Sequence, residues 1–278
     1  MGTKKSGAGL EASALEAARV KGGPLLQMST LGRRAVIRTA RQPANVIFPL
    51  IFPMLLLAVN AGGLKAATSL PGFPTNSFLA FALAVPFVQG ALLATINANV
   101  EFARDVQTGF LNRLALTPVR GIVLLLGQLG GLLTIALVQA GFYLAVGLAF
   151  GVRLASGVAG ALVLIVLETV IVLGFAGLGS WAALRTGSTE AVQGLFPVFF
   201  VFLFLSSMNM PRNLIEADWF RWVATVNPVS YLIEAVRSLV IEGWNWEAIG
   251  LGFAAGGALA VVGFALAAHA LIRRLERT

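Results

Sequence analysis

Side chains able to do chemistry are few in this chain, so their positions carry weight. The densest group is the run EFARDVQTGFLNRLALTPVR, residues 101 to 120, set between two long apolar runs. Glu101, Arg104, Asp105, Thr108 and Arg113 offer carboxylates, guanidinium groups and a hydroxyl, a mixture suited to gripping another protein. Read as a helix from Glu101 to about Leu116, the run sets Phe102, Val106 and Phe110 along one stripe. Glu101, Arg104, Asp105, Thr108 and Asn112 then fall mainly elsewhere. Such a helix lies under a bilayer and still presents a charged surface; a solvated loop with accidental periodicity is the alternative. Thr117-Pro118 ends the helix, because the residue before a proline is pushed out of the helical region, and Arg120 anchors the next apolar run.

A second group follows Asn227-Pro228. In NPVSYLIEAVR, Asn227 is a strong N-cap, Pro228 suits the first helical position, and Glu234 and Arg237 lie three apart on one face. This predicts a short capped helix outside or partly within one leaflet, preceded by a smaller helix near Asp218 to Thr225. Backbone at that depth must be satisfied by helical bonds or by burial in protein.

Glu168 stands alone in the middle of an apolar run, where an acid costs about 2.5 to 3.5 kcal/mol on insertion scales and must face protein or water. No lysine or arginine lies at similar depth. Glu168 therefore either meets a cationic substrate or a proton, or is a protonated or amide-bonded packing residue, with Gln128 or Gln139 as partner. His269 reads as an interfacial residue, and with one histidine, no cysteine and no carboxylate cluster there is no metal site to assign. Gly177-Leu-Gly179-Ser-Trp-Ala182 formally fits a dinucleotide fingerprint but lies inside an apolar run with no strand before it, so it is discarded. No phosphate-binding G-x-x-x-x-G-K-[ST] loop occurs, so this chain is not expected to hydrolyse ATP by itself.

The elements that must position these groups are membrane helices. With 58% hydrophobic and 12% charged residues and a mean hydropathy of +0.86, the 278-residue chain is too apolar for a soluble domain. The net charge of +8 does not point to nucleic acid, because the basic residues are spread between the apolar runs rather than gathered among aromatics. Residues 1–23 lack a bulky apolar face and read as a mobile extension with no cleavable signal. Residues 24–43 read as an amphipathic interfacial helix, with Arg34, Arg38 and Arg41 toward anionic headgroups; a basic topogenic flank is the alternative. Residues 44–278 then carry six spans, near 44–59 (kinked at Pro49 and Pro53), 77–100, 121–150, 158–184, 191–210 and 248–272. Fifteen of the twenty lysines and arginines fall on the side of the termini, which predicts both termini in the cytoplasm of a plasma or inner membrane.

The run at 101–120 closely resembles the first cytoplasmic loop of type-2 ABC transporter permeases, especially the daunorubicin-resistance-type drug exporter membrane subunits. The pattern N-P-x-x-Y-x-x-E-x-x-R before the last span, here Asn227, Pro228, Tyr231, Glu234 and Arg237, resembles the same family. Together with the six-span layout the resemblance covers about residues 25 to 275. It implies an all-α membrane protein with six transmembrane helices, an N-terminal interfacial helix, a cytoplasmic coupling helix and external re-entrant helices. It also implies that Glu101, Arg104, Asp105, Thr108 and Arg113 lie at or near the contact with an ATP-binding subunit, while the 227–237 segment belongs to an external gate. Two copies of that subunit, holding ATP and magnesium, would serve a permease homodimer; this chain would bind no cofactor and no nucleic acid. The expected function is ATP-driven export of hydrophobic or amphiphilic drug-like molecules or lipids, with Glu168 a candidate in the substrate pathway. The alternatives are export of lipid-linked glycans and an ion-coupled secondary transporter, although no clear internal repeat favours the latter.

Overall fold

A computed structural model of the protein describes residues 43–108 and 121–275. The expected extension, the interfacial helix before Pro43, and Arg113 with the rest of 109–120 lie outside the described residues. No strand occurs among the described residues, and the long elements are helices. The first, α1 (Pro43–Gly63), runs through both Pro49 and Pro53 without losing helical assignment. It ends in a 3-10 turn at Lys65–Ser69.

Proline decides how the second span is built. Ser77 caps α2 (Phe78–Ala82) by accepting from the Ala80 amide, and Leu83 then joins α2 to α3 (Ala84–Gln107). Pro86 has no N–H to give the Ala82 carbonyl, so the helix breaks one turn before it. The same logic separates α6 (Thr189–Gln193) from α7 (Leu195–Phe204), where Pro197 leaves the Gln193 carbonyl without its helical donor. Between these pairs stand α4 (Gly121–Ala149) and α5 (Gly157–Thr186). A 3-10 turn at Arg212–Leu214, the short helices α8 (Asp218–Val226) and α9 (Pro228–Arg237), and a π-turn at Ser238–Glu242 lead to α10 (Trp246–Leu275).

Among the described residues, five helical runs are long and apolar enough to cross a membrane: Val46–Gly63, Phe78–Gln107, Gly130–Ala149, Gly157–Thr186 and Trp246–Arg274. The run expected to be the fifth of six spans is the shorter apolar pair Thr189–Phe204. At about 1.5 Å per residue it reaches about 24 Å, less than the roughly 30 Å of a hydrocarbon core. The chain turns at Leu205 and Ser206 instead of continuing to Met210.

Burial shows which run is central. Within the apolar eighteen-residue stretch of Phe78–Gln107, 94% of residues are buried inside the protein, against 17% for that of Val46–Gly63 and 22% for that of Trp246–Arg274. The second span is therefore the axis of the bundle. The widest helix contact is α5 against α10, and glycine makes it possible. A Cβ on Gly263 would lie 2.7 Å from the Gly177 carbonyl carbon, and one on Gly177 would lie 2.9 Å from the Phe264 nitrogen. The backbones thus touch where neither residue has a side chain, the packing that small residues allow in a bilayer.

Candidate functional site

Three polar groups punctuate this apolar bundle, one at each end and one inside. At the first end, Glu101, Arg104 and Asp105 are not the start of a separate helix. They form the last turns of α3, which is continuous from Ala84 to Gln107 and closed by the Thr108 amide on the Arg104 carbonyl at 3.0 Å. The predicted stripe also has a different neighbour. Phe102, Ala103 and Val106 pack on Ala182, Ala183 and Leu184 of α5, Val192 of α6 and Ala267 and Leu271 of α10, so this stripe faces protein and not lipid. Arg104 and Thr108 point outward, and Arg104 is paired with Glu101 at 2.8 Å. Arg274 donates to the Leu184 carbonyl at 2.9 Å, tying α10 to the last turn of α5 beside them. Ser188 and Thr189 donate to the exposed Glu190 carboxylate at 2.6 and 3.0 Å. The Ser188 hydroxyl, followed by the backbone and Thr189, holds that carboxyl below its usual range.

At the opposite end the expected capped helix is present. The Asn227 side chain accepts from the Val229 amide at 3.0 Å, and its NH2 group donates to the Phe202 and Leu205 carbonyls at 2.6 and 3.0 Å. One side chain thus starts α9 and closes the end of α7. The smaller helix spans Asp218–Val226, with Trp219, Trp222 and Val226 exposed along it. Trp244 and Trp246 stack nearby in sequence with centroids 5.2 Å apart, and both are exposed. Exposed tryptophans at this level suit a membrane interface.

Glu234 and Arg237 share a face of α9 in the sequence, yet their contacts differ. Glu234 forms an ion pair with Arg212, whose guanidinium also lies 4.7 Å from the centre of the Tyr231 ring. Partial burial works against the Arg212 charge, but Glu234 and Tyr231 together outweigh it and hold the group above its ordinary range. Tyr231 donates its hydroxyl to the Thr225 carbonyl at 2.7 Å, fastening α9 to α8. Arg237 turns inward and is only 4% exposed. Its four hydrogen bonds go to the Phe81 carbonyl at 3.3 Å, twice to Ser207 at 3.2 Å, and to Met208 at 3.1 Å. The guanidinium carbon also sits 3.5 Å over the centre of the Phe81 ring. Arg212, Glu234 and Arg237 line one wall of a cavity of about 460 Å³, with Glu242 and Glu247 also on its lining. Arg212 was missed by the sequence reading, because no local spacing rule connects it to Glu234 twenty-two residues away.

Inside the bundle, Glu168 is fully buried, and neither carboxylate oxygen has a hydrogen-bond partner. Gln139, 1% exposed, likewise has neither side-chain atom paired. Tyr143, one turn beyond Gln139, donates its hydroxyl to the Pro49 carbonyl at 2.6 Å. That carbonyl is open because Pro53 lacks the N–H that would close the helix onto it. Gln128 is outside the residues whose side chains are described. His269 is exposed near the end of α10, and no group of acids and histidines suited to a metal occurs among the described residues.

A bundle of long apolar helices with capped polar ends defines a multi-pass helical membrane protein. The ABC-2 type transporter family matches residues 26–241, well over half of the chain, and the protein belongs to that family. It is similar to a protein of Pyropia yezoensis named as a transport permease, ycf38, with 26% identity over 227 residues, covering 79% of this chain and 76% of the relative. It is also similar to a protein of Mycobacterium tuberculosis (strain CDC 1551 / Oshkosh) named as a doxorubicin resistance ABC transporter permease, DrrC. There the identity is 24% over 212 residues, covering 76% and 75% of the two chains. The chain is thus a membrane permease subunit of an ABC exporter, which works with an ABC ATP-binding partner.

Proposed function

We propose that the protein forms a homodimeric permease that exports hydrophobic or amphiphilic small molecules, driven by two ATP-binding subunits that carry all the ATP and magnesium. Both termini then lie in the cytoplasm of the plasma or inner membrane. Glu101, Arg104, Asp105, Thr108 and Arg113 belong to the docking surface for the ATPase, and 227–237 to the outer gate. The chain itself is the non-catalytic part.

The observation that carries this reading is the continuity of α3. Its charged end at Glu101–Gln107 is one rigid rod with the most buried span of the protein, and Phe102 and Val106 clamp that rod to α5 and α10. A push on the charged end therefore moves the centre of the bundle. The other end of the same span carries Phe81, whose carbonyl and ring hold Arg237 of α9. Leu83, helical in its own backbone angles, joins the two. Movement of α3 is thus able to reach the 227–237 segment through one covalent element and one buried guanidinium.

The test is purification of the tagged permease from its native membrane in mild detergent, with mass spectrometry of what remains bound. A stoichiometric subunit with a phosphate-binding loop, lost when Glu101 and Asp105 are changed to lysine but kept in a Glu216→Lys control, is the expected result. Retention of the ATPase by the double variant would remove these residues from the docking surface. Recovery of a homogeneous permease with no ATPase would overturn the assembly as a whole.

A further inference from the structure

The cavity at the Asn227 end of the bundle carries charge that the protein does not itself balance. Its volume of about 460 Å³ lies within the range of about 300 to 1,000 Å³ typical of ligand sites. Five charged side chains line it, Arg212, Glu234, Arg237, Glu242 and Glu247, so two guanidinium groups stand against three carboxylates. Arg237 spends its donors on the Phe81, Ser207 and Met208 carbonyls and forms a buried wall. Arg212 and Glu234 pair with each other. Glu242 and Glu247 have no cation as partner among the described residues. The one hydrogen bond to either carboxylate comes from the Asn245 NH2, which donates to Glu242 at 3.0 Å. Asn245 also accepts from the Ala248 amide at 3.1 Å, so the residue that holds Glu242 is itself fixed to the start of α10.

What is left unmatched has both signs. Among the described residues the Arg212 guanidinium hydrogen-bonds to Glu234 alone, so most of its five N–H groups remain for an acceptor. Glu242 and Glu247 call for positively charged donors. A ligand with negative charge only would meet the excess of carboxylates, and one with positive charge only would leave Arg212 without an acceptor. A zwitterion answers both. Its cationic part must bring N–H groups, because the two aromatic rings of the lining are already engaged: the Arg212 guanidinium lies 4.7 Å from the centre of Tyr231, and that of Arg237 lies 3.5 Å from the centre of Phe81. A quaternary ammonium, held by several open aromatic faces, finds no such cage here. The site also stands at the level of lipid headgroups. Trp246 begins the last apolar run and stacks on Trp244, both are exposed, and Glu242, Asn245 and Glu247 alternate with them along the chain. Pro74, Pro211 and Leu251 complete the lining with apolar surface for the carbon part of a ligand.

We propose that this cavity binds the headgroup of a zwitterionic phospholipid with a primary amine, of the phosphatidylethanolamine type, one per protomer. The ammonium meets Glu242 and Glu247, and the phosphate takes the N–H groups of Arg212 that Glu234 leaves free. The acyl chains are left to the bilayer beside Trp244 and Trp246. Arg212 lies in the turn after α7 and Glu247 in the first turn of α10, so the bound headgroup ties two segments that no ion pair joins. The site is built within one protomer and does not depend on the exported molecule or on the ATPase.

Native mass spectrometry tests this on the full-length permease, released from micelles that hold phosphatidylethanolamine, phosphatidylcholine and phosphatidylglycerol in equal amounts. Phosphatidylethanolamine should stay bound in preference to the other two. Glu242→Gln combined with Glu247→Gln should lower its retention about tenfold, the scale of a lost charge-assisted contact, and remove the preference over phosphatidylcholine. Arg212→Gln should weaken retention while the preference for the amine persists. A Glu216→Gln control, whose carboxylate is exposed and outside the lining, should behave as the wild type. Equal retention of phosphatidylcholine, a preference for phosphatidylglycerol, or a preference that survives the double substitution would overturn the assignment. Displacement of the lipid by an equal concentration of glycerophosphoethanolamine would make this a site for a soluble zwitterion and overturn the lipid. If the double variant does not accumulate, the two single variants and the wild-type comparison of lipids still decide between these outcomes.

Discussion

Arg237 and Glu168 are the two buried ionisable residues of opposite sign in the described protein, and the surroundings treat them in opposite ways. Arg237 is surrounded by acceptors: the carbonyls of Phe81, Ser207 and Met208 converge on a group with five N–H donors, and an aromatic face covers it. Glu168 instead lies in regular helix near the buried apolar residues Leu164, Leu167, Ile171 and Val172, and neither carboxyl oxygen has a hydrogen-bond partner. One buried group is thus fully partnered and the other has no partner. The carbonyls around Arg237 are free for a structural reason, since Ser207 and Met208 lie in the turn that ends α7 and Phe81 lies at the break before Pro86. Irregular backbone supplies acceptors where the charge is kept, and regular helix supplies none where it must be neutralised.

This contrast yields ordered expectations. Arg237→Met should have the largest effect, about 3 kcal/mol or more, because several buried carbonyls lose a charged donor at once. Lysine should rescue little, since it cannot span three acceptors as a planar fork does. Unfolding of the two variants in mixed micelles, followed by helical circular dichroism, measures this; wild-type stability in Arg237→Met would dissolve the contrast. Tyr143→Phe comes next. It strips the donor from the Pro49 carbonyl and should cost roughly 1 to 3 kcal/mol. Faster proteolysis or hydrogen exchange in α1 than in α5 would locate the loss.

Glu168→Gln should be close to neutral, within about 1 kcal/mol, because an amide of the same shape places no charge in the buried site. Strong destabilisation on that substitution would mean that the carboxylate, and not the acid, is the native form. The smallest effect belongs to Arg212→Gln. Its ion pair with Glu234 is only partly buried, and such pairs contribute about 0 to 1 kcal/mol. If it proved as costly as Arg237→Met, the cluster around Glu234 would act as one network and not as a buried anchor with a surface partner.

How much was legible in the sequence follows the range of each interaction. The Asn227 cap, the Pro228 start, and the small helix before them were all readable, because a cap joins residues two or three apart. The long apolar runs were readable for the same reason. Arg212 opposite Glu234 and Arg237 against Phe81 were not: the latter pair is 156 residues apart, and no pattern within either segment announces the other. The predicted six spans met a different limit. The run ending near Met210 is as apolar as a span, but Pro197 and the turn at Ser206 shorten its helices, and hydropathy does not register either.

The sequence by itself determined that this chain is a helical membrane protein, where the capped helix at Asn227 begins, and that Glu168 needs a special environment. Those are consequences of composition, of proline chemistry and of desolvation, all of which act locally. Only the tertiary structure decided that Phe102 and Val106 face α5 and α10, that Gly177 meets Gly263, and that Tyr143 serves Pro49. In a bilayer the acyl chains are as apolar as leucine, so an apolar stripe is equally consistent with lipid and with protein. Which stripe meets which is then settled by close packing and by the few polar groups that must find partners, and both depend on helices far apart in the chain.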